Sequence, residues 1–418
     1  MNVVITLEQR FERTPDGAVW TQSVFSYSFF LRYLAVFDSV RVVARVRDVP
    51  EVTSDWKRAD GKGVSFADVP YYLGPWQYFL RASQVKKAAI DAVNANDAVI
   101  MRVSSQIASC LEPWLRSSRH PYGLEVVGDP YDTFAPGAIK HPLRPFFRWW
   151  LPQQLRHQCA AACAIAYVTE YSLQRRYPPA SGAFSTHYSS IELAPTAIVE
   201  ALRPPRRDTD RFSLITVGTL AQLYKAPDVL INAVALCVRE GLDINLTVVG
   251  DGKHRAELEA QAASLGLGQR VYFCGQLPAG DAVRAQLDRA DLFVLPSRQE
   301  GLPRAMIEAM ARGLPCIGST VGGIPELLPS EDMVPPDDVT TLAQKIREVV
   351  TNPQRRLQMS LRNLEKAKEY AEDILSQRRF AFYQNVRETT QAWLMGNRVW
   401  GIGHGKRQKS GEMESYFP

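Results

Sequence analysis

The chain has no Cys-x-x-Cys pair, no long apolar run and no block of charge of one sign. Its six cysteines (Cys110, Cys159, Cys163, Cys237, Cys274, Cys316) are scattered. That spacing excludes a disulfide framework or a zinc site and fits a reducing, cytoplasmic setting. Cys159 and Cys163, four apart, read as small core residues one helical turn apart. The opening Met-Asn-Val-Val-Ile-Thr is too short in apolar residues for a signal peptide. No stretch approaches the roughly 18–20 apolar residues of a membrane span. With 49 Lys+Arg against 44 Asp+Glu the formal charge is only +5. This suits a protein that meets phosphates or a membrane surface. Without a lysine-rich stripe, no nucleic acid is expected as partner.

What is present is apolar: 46% of the 418 residues, enough for large cores and too long a chain for one, so two domains of about 200 residues are expected. The first, residues 1–201, is aromatic-rich and irregular. Strands are expected at 3–7, 40–46, 98–103 and 124–127, and helices at 25–37 and 84–95. Residues 203–210, rich in Pro and Arg, read as an exposed linker.

From residue 212 the pattern sharpens. Strands at 212–217, 244–249, 270–273, 292–295 and 315–318 alternate with helices at 226–240, 253–265, 281–290 and 304–312. Short apolar strands separated by amphipathic helices specify a parallel sheet covered on both faces. Such sheets bind ligands beyond the carboxyl ends of their strands. Helices at 340–350, 353–370 and 374–395 follow, the last bounding the 202–373 domain, and 396–418 reads as a flexible tail.

Four strand-to-helix turns then matter: Gly218–Thr219 with Lys225, Gly250–Lys253, Pro296–Pro303, and Gly322–Glu326. Glycines let a ligand approach the backbone. Pro303 and Pro325 suit the first helical position, and helix starts favour a phosphate. Any one such turn is also ordinary turn chemistry. Four at one sheet edge, with a lysine among them, point to an anionic ligand such as a diphosphate. Glu300 and Glu308 are eight residues apart. On helical geometry that turns the direction to within about 80°, so both acids can face one cleft. Ribose hydroxyls and a transferred sugar need such partners; a solvated helix carboxylate at Glu308 stays an open alternative.

The run Glu300-Gly301-Leu302-Pro303 to Glu308, followed by Gly322-Gly323-Ile324-Pro325-Glu326, resembles the retaining glycosyltransferases of family 4. That resemblance implies the α/β GT-B fold: two Rossmann-like domains facing each other across a cleft, with the last helix crossing back to the first. It implies a nucleoside-diphosphate-sugar donor, a sugar or lipid-linked acceptor bearing a hydroxyl, and work in polysaccharide or glycolipid biosynthesis. It places Glu300 beside the donor sugar, Glu308 on ribose, Lys225 on the diphosphate and the Tyr272–Gly275 strand end, with Phe273, at the base. Gly218, Gly250, Gly301 and Leu302 line the same pocket. The family's arginine six residues before the lysine is Thr219 here. Arg304 is the expected replacement, with Lys253 as the alternative.

The first half matches less. Thr14–Gly17 loosely resembles the family's glycine-rich loop. Asp129 stands where members carry an acceptor-side histidine, and either takes its catalytic place or caps the next turn. Residues 167–172 resemble the strand-then-serine turn at the back of the cleft. The six histidines are isolated. Asp208-Thr209-Asp210 imitates an Asp-x-Asp metal site but lies in the linker, so neither metal nor cofactor is expected. Residues 144–152 mix Arg with Phe and Trp. A helix packed on the core explains them, and a peripheral membrane contact is the alternative. A non-catalytic sugar-nucleotide sensor and a GT-B enzyme of another reaction type, such as a sugar-nucleotide epimerase, also stay open.

Overall fold

A computed structural model describes residues 1–135, 142–201 and 211–404, with side chains to residue 396. The Asp208–Asp210 triplet and residues 405–418 of the expected tail lie outside the described residues. Two parallel sheets organise the chain, one in each half.

The first sheet runs Val64–Val69, Ser39–Asp48, Asn2–Arg13, Ala98–Val103, Gly123–Val126, Ala164–Tyr167, Phe184–His187, each strand parallel to the next. Val3, Val4 and Ile5 are fully buried at its centre, as expected of a strand covered on both faces. The first strand outruns the expected 3–7. Its pairing shifts between Thr6 and Arg10 and resumes to Arg13. The Thr14–Gly17 turn then folds the chain back onto Val19–Thr21, antiparallel. Gly17 supplies the positive φ that the turn requires, and its N–H donates to the Thr14 carbonyl. This turn is therefore a hairpin connection and opens no helix.

The second sheet has the order Val271–Gly275, Ile244–Val249, Phe212–Val217, Leu292–Leu295, Cys316–Ser319, Met333–Val334, all parallel. Strand order reverses between Phe212–Val217 and Leu292–Leu295, the switch point beyond which ligands of such sheets sit. Gly250, with φ +139°, and Gly252 lie so close to the Gly218–Ala221 backbone that a Cβ would collide with it, at 1.9 Å from the Gly218 carbonyl oxygen in the first case.

The last helix spans Glu372–His404, longer at both ends than residues 374–395, so the expected tail begins as helix. Phe382, Tyr383 and Val386 are buried against the first sheet. A Cβ on Gly123 would come within 2.6 Å of Val386. The Tyr383 hydroxyl donates to Glu125, 3.2 Å away, which also accepts from Tyr33 and Tyr188 and pairs with Arg102. Burial alone would raise the pKa of Glu125; Arg102 and the tyrosine hydroxyls overcome it and hold the carboxylate ionised. The helix is thus tied into the first domain by packing and by a satisfied buried charge.

Candidate active site

Lys225 ends a short 3-10 turn (Leu223–Lys225), and Ala226 behind it is left-handed at φ +53°. That kink lets the Pro227–Arg239 helix start while the lysine points across the sheet edge. Its Nζ donates to Glu300 Oε1 at 2.6 Å. The same oxygen accepts from the Ser297 hydroxyl at 2.7 Å. Glu300 is only 7% exposed, so the pair sits where Coulomb interactions are strong. Two residues that sequence reasoning passes over hold it. The Ser319 hydroxyl donates to the Ser297 carbonyl. Arg298 clamps Asp228 with both Nη atoms, donates to the Leu223 carbonyl, and through its N–H binds the Tyr224 carbonyl. For Arg298 the signal was present only as a polar residue inside the Pro296–Pro303 turn, and Ser319 ends the Cys316–Ser319 strand.

Residues 296–303 are not helical; the helix runs Arg304–Ala311. Helical periodicity therefore does not relate Glu300 to Glu308. Glu308 lies in the second turn of that helix. Burial raises its pKa, against the lowering influence of Arg304 and Arg284. No side chain hydrogen-bonds its carboxylate among the described residues. Arg304 is exposed and is felt electrostatically by Glu308 and by Tyr224 beside Lys225. Its charge therefore acts on both. Thr219 uses its hydroxyl to accept from Ala221 N–H and to shape the turn. Phe273 is half-buried on the outermost strand of the sheet, its carbonyl taken by Arg255.

The Gly322–Glu326 motif does something other than open a phosphate-binding helix. Ile324–Glu326 is a single 3-10 turn, and the Gly323 N–H is spent on the Gly301 carbonyl at 2.6 Å. Gly322 is left-handed, and a Cβ there would lie 2.1 Å from the Glu300 carbonyl oxygen, so this loop braces Glu300 from behind. Glu326 reaches into the other domain. Its carboxylate accepts the N–H groups of Glu170, Tyr171 and Ser172 at 2.6, 3.2 and 2.7 Å. The expected strand-then-serine turn is thus where the two domains are joined. Gly301 also approaches the first domain: a Cβ on it would be 3.2 Å from the Val127 carbonyl oxygen.

Between the domains lies a cavity of about 520 Å³. Glu300, Gly301, Thr320 and Gly322 form one wall, and Asp129, Thr169, Ser172 and Arg176 are on the other. Asp129 caps the Pro130–Thr133 turn through Tyr131 N–H and is held by Arg176 and Tyr177. Capping and cavity lining coincide in this residue. Lys225, Glu300, Arg304 and Glu308 are grouped at one sheet edge. Gly218 and Gly250 serve backbone packing there. Among the described residues no group of three or more His, Cys, Asp or Glu could hold a metal ion.

Residues 211–352 match the family described as Glycosyl transferases group 1. Protein CapJ of Staphylococcus aureus is 26% identical over 347 residues, covering 81% of this chain and 84% of that protein. The structure resembles sucrose-phosphate synthase from Thermosynechococcus elongatus, with TM-score 0.65 at 16% identity over 96% of this chain and 100% of that one. It also resembles Anabaena Alr3699/HepE in complex with UDP-glucose, with TM-score 0.57 at 17% identity over 95% and 100% of the two chains. With two parallel-sheet domains closing on one cavity, the chain has the GT-B fold, and its second domain carries the match to the glycosyl transferases group 1 family.

Proposed function

We propose that this protein is a retaining glycosyltransferase of family 4, moving a sugar from a nucleoside-diphosphate donor to a hydroxyl acceptor during polysaccharide or glycolipid assembly. One observation carries the reading: the Lys225–Glu300 pair, 2.6 Å apart, with Glu300 buried and lining the interdomain cavity. A breaking glycosyl–phosphate bond builds negative charge on the diphosphate, and a cation placed there in advance is commonly the largest catalytic contribution. Lys225 supplies it. Arg304 replaces the cation missing at Thr219, and the unpaired first N–H groups of its helix add the positive end of a dipole. Glu300 orients the sugar and balances the charge that develops on it. Glu308 accepts the ribose hydroxyls. With the diphosphate met by side chains and N–H groups, EDTA leaves turnover unchanged.

A thermal-shift screen against UDP, GDP and ADP, alone and as sugar conjugates, tests the donor site, because a ligand that binds only the folded state raises Tm. One nucleotide series should stand out; no shift with any of them would end the reading. The anomeric configuration of the product, read by NMR, tests retention. Release of nucleoside diphosphate only when acceptor is present separates a transferase from a sensor or an epimerase.

The partner side includes a membrane surface. The Arg144–Ala161 helix buries only its later half, at Pro152, Leu155, Gln158 and Cys159. Trp149 stays 63% exposed, so the packed-helix reading fails for its first half. On the Gly74–Asp91 helix, which begins ten residues before the expected 84, Trp76, Phe79 and Leu80 are 82%, 75% and 78% exposed. Both helices pack on Gln106–Ser117 and start at the carboxyl edge of the sheet. They carry six Lys and Arg against one acid, Asp91. Basic residues interleaved with exposed tryptophan suit an anionic lipid interface. No helix among the described residues is long and apolar enough to cross a membrane. Flotation with phosphatidylglycerol vesicles should carry the protein and fail for W76A/F79A/W149A. Absence of wild-type flotation would end the membrane contact.

A further inference from the structure

The acceptor-side wall of the cavity carries more cation than its own carboxylates consume. Arg156, Arg175 and Arg176 all line it, with Asp129 and Asp132. Arg176 is spent on both acids. Burial first, and the neighbouring Asp129 second, raise the pKa of Asp132, against the pull of Arg176. Arg156 donates through Nε to the Arg176 carbonyl at 2.9 Å, which anchors the guanidinium 5.9 Å over the Tyr177 ring. Arg175 lies 5.5 Å over the Tyr171 ring. Neither Arg156 nor Arg175 reaches a carboxylate among the described residues. At the donor wall the charges already balance, with Lys225 against Glu300. The surplus is therefore confined to the side away from Glu300.

A neutral sugar hydroxyl needs no guanidinium, whereas the planar Arg fork matches a carboxylate or phosphate with two parallel hydrogen bonds. We propose that Arg156 and Arg175 form a subsite for an anionic group on the acceptor, either the carboxylate of a uronic acid or a phosphate. This rests on the transferase reading above and names the acceptor class that reading leaves open.

Ligand-observed NMR titrations test it, with UDP, GDP or ADP, whichever the thermal-shift screen selects, saturating the protein so that the diphosphate position is filled. The probes are glucose, glucuronate and glucose 6-phosphate. At least one charged probe should bind about tenfold or more tighter than glucose, the worth of one charge-assisted hydrogen bond. Preference for glucuronate assigns a carboxylate, and preference for glucose 6-phosphate assigns a phosphate. R156Q/R175Q should abolish the preference, and R156K/R175K should keep part of it through charge without the fork. Equal binding of all three probes overturns the proposal, as does a preference that survives in R156Q/R175Q. The nucleotide thermal shift of the same variant keeps the two readings apart. If nucleotide binds the wild type while the wild type shows no anion preference, only the acceptor subsite fails. If nucleotide binds neither wild type nor variant, the transferase reading itself fails.

Discussion

Replacing Glu326 by alanine should loosen the joint between the two domains at the turn that also forms part of the cavity wall. Its carboxylate takes three backbone N–H groups of the first domain at 2.6, 3.2 and 2.7 Å, and the residue is 4% exposed. A hydrogen bond to a charged group contributes about 1.5–3 kcal/mol, and bonds that share one acceptor do not add fully. Counting the two short bonds as most of the effect gives roughly 3 kcal/mol for the set. That corresponds to about 100-fold in a local opening equilibrium. Hydrogen exchange reads this directly, because the amides of Glu170, Tyr171 and Ser172 are themselves the donors. In E326A these three should exchange about 100-fold faster, while the buried strand Gly123–Val126 keeps its protection. E326Q should fall between, since its amide can accept from one N–H but sets its own donors against the rest. If the three amides exchange in E326A as in the wild type, Glu326 does not join the domains and the reasoning is refuted.

Other outcomes follow from single side chains. Burial raises the pKa of Glu308, so the folded state favours its neutral form; the stability linked to that proton is complete below the unfolded pKa and is lost as pH rises through the raised folded one. E308Q should therefore have a higher Tm than wild type at neutral pH, with the gap closing in acid, and a weaker nucleotide thermal shift. A lower Tm at neutral pH would contradict this. G250A forces a Cβ to 1.9 Å from the Gly218 carbonyl at φ +139°, a cost on the order of 3 kcal/mol or more; a melting curve unchanged from wild type would show that the backbone there is free to move. R304A should weaken the nucleotide thermal shift and raise the donor KM, and unchanged values would leave Thr219 without a replacement cation.

The second domain was legible because its strands are buried on both faces. Phe212–Val217 and Ile244–Val249 are apolar-rich runs and Leu292–Leu295 is apolar throughout, all bounded by turns, and their limits coincide with those read from sequence. The first domain hid more. Val64–Val69 is buried at its two ends and more open between them, so it carries no clean period. Trp76, Phe79 and Leu80 mimic a core segment while facing outward, which masks the first turns of their helix. In the site, the types Lys225, Glu300 and Glu308 stood out, yet their geometry did not. Lys225 meets Glu300 across 75 positions, a contact made by sheet order and invisible to spacing. Glu326 was legible only as part of a turn, because its partners belong to another domain. Arg298 looks like any loop arginine until Asp228 and the Leu223 carbonyl are brought to it by the fold.

The central claim is that the Lys225–Glu300 pair sits where the sugar is transferred. The rate of acceptor-dependent release of nucleoside diphosphate by E300Q, with the donor selected by thermal shift, tests it most directly. The side chain keeps its shape and loses its charge, so folding and the nucleotide thermal shift should persist while kcat falls about 100-fold or more. Turnover by E300Q at the wild-type rate would contradict the account.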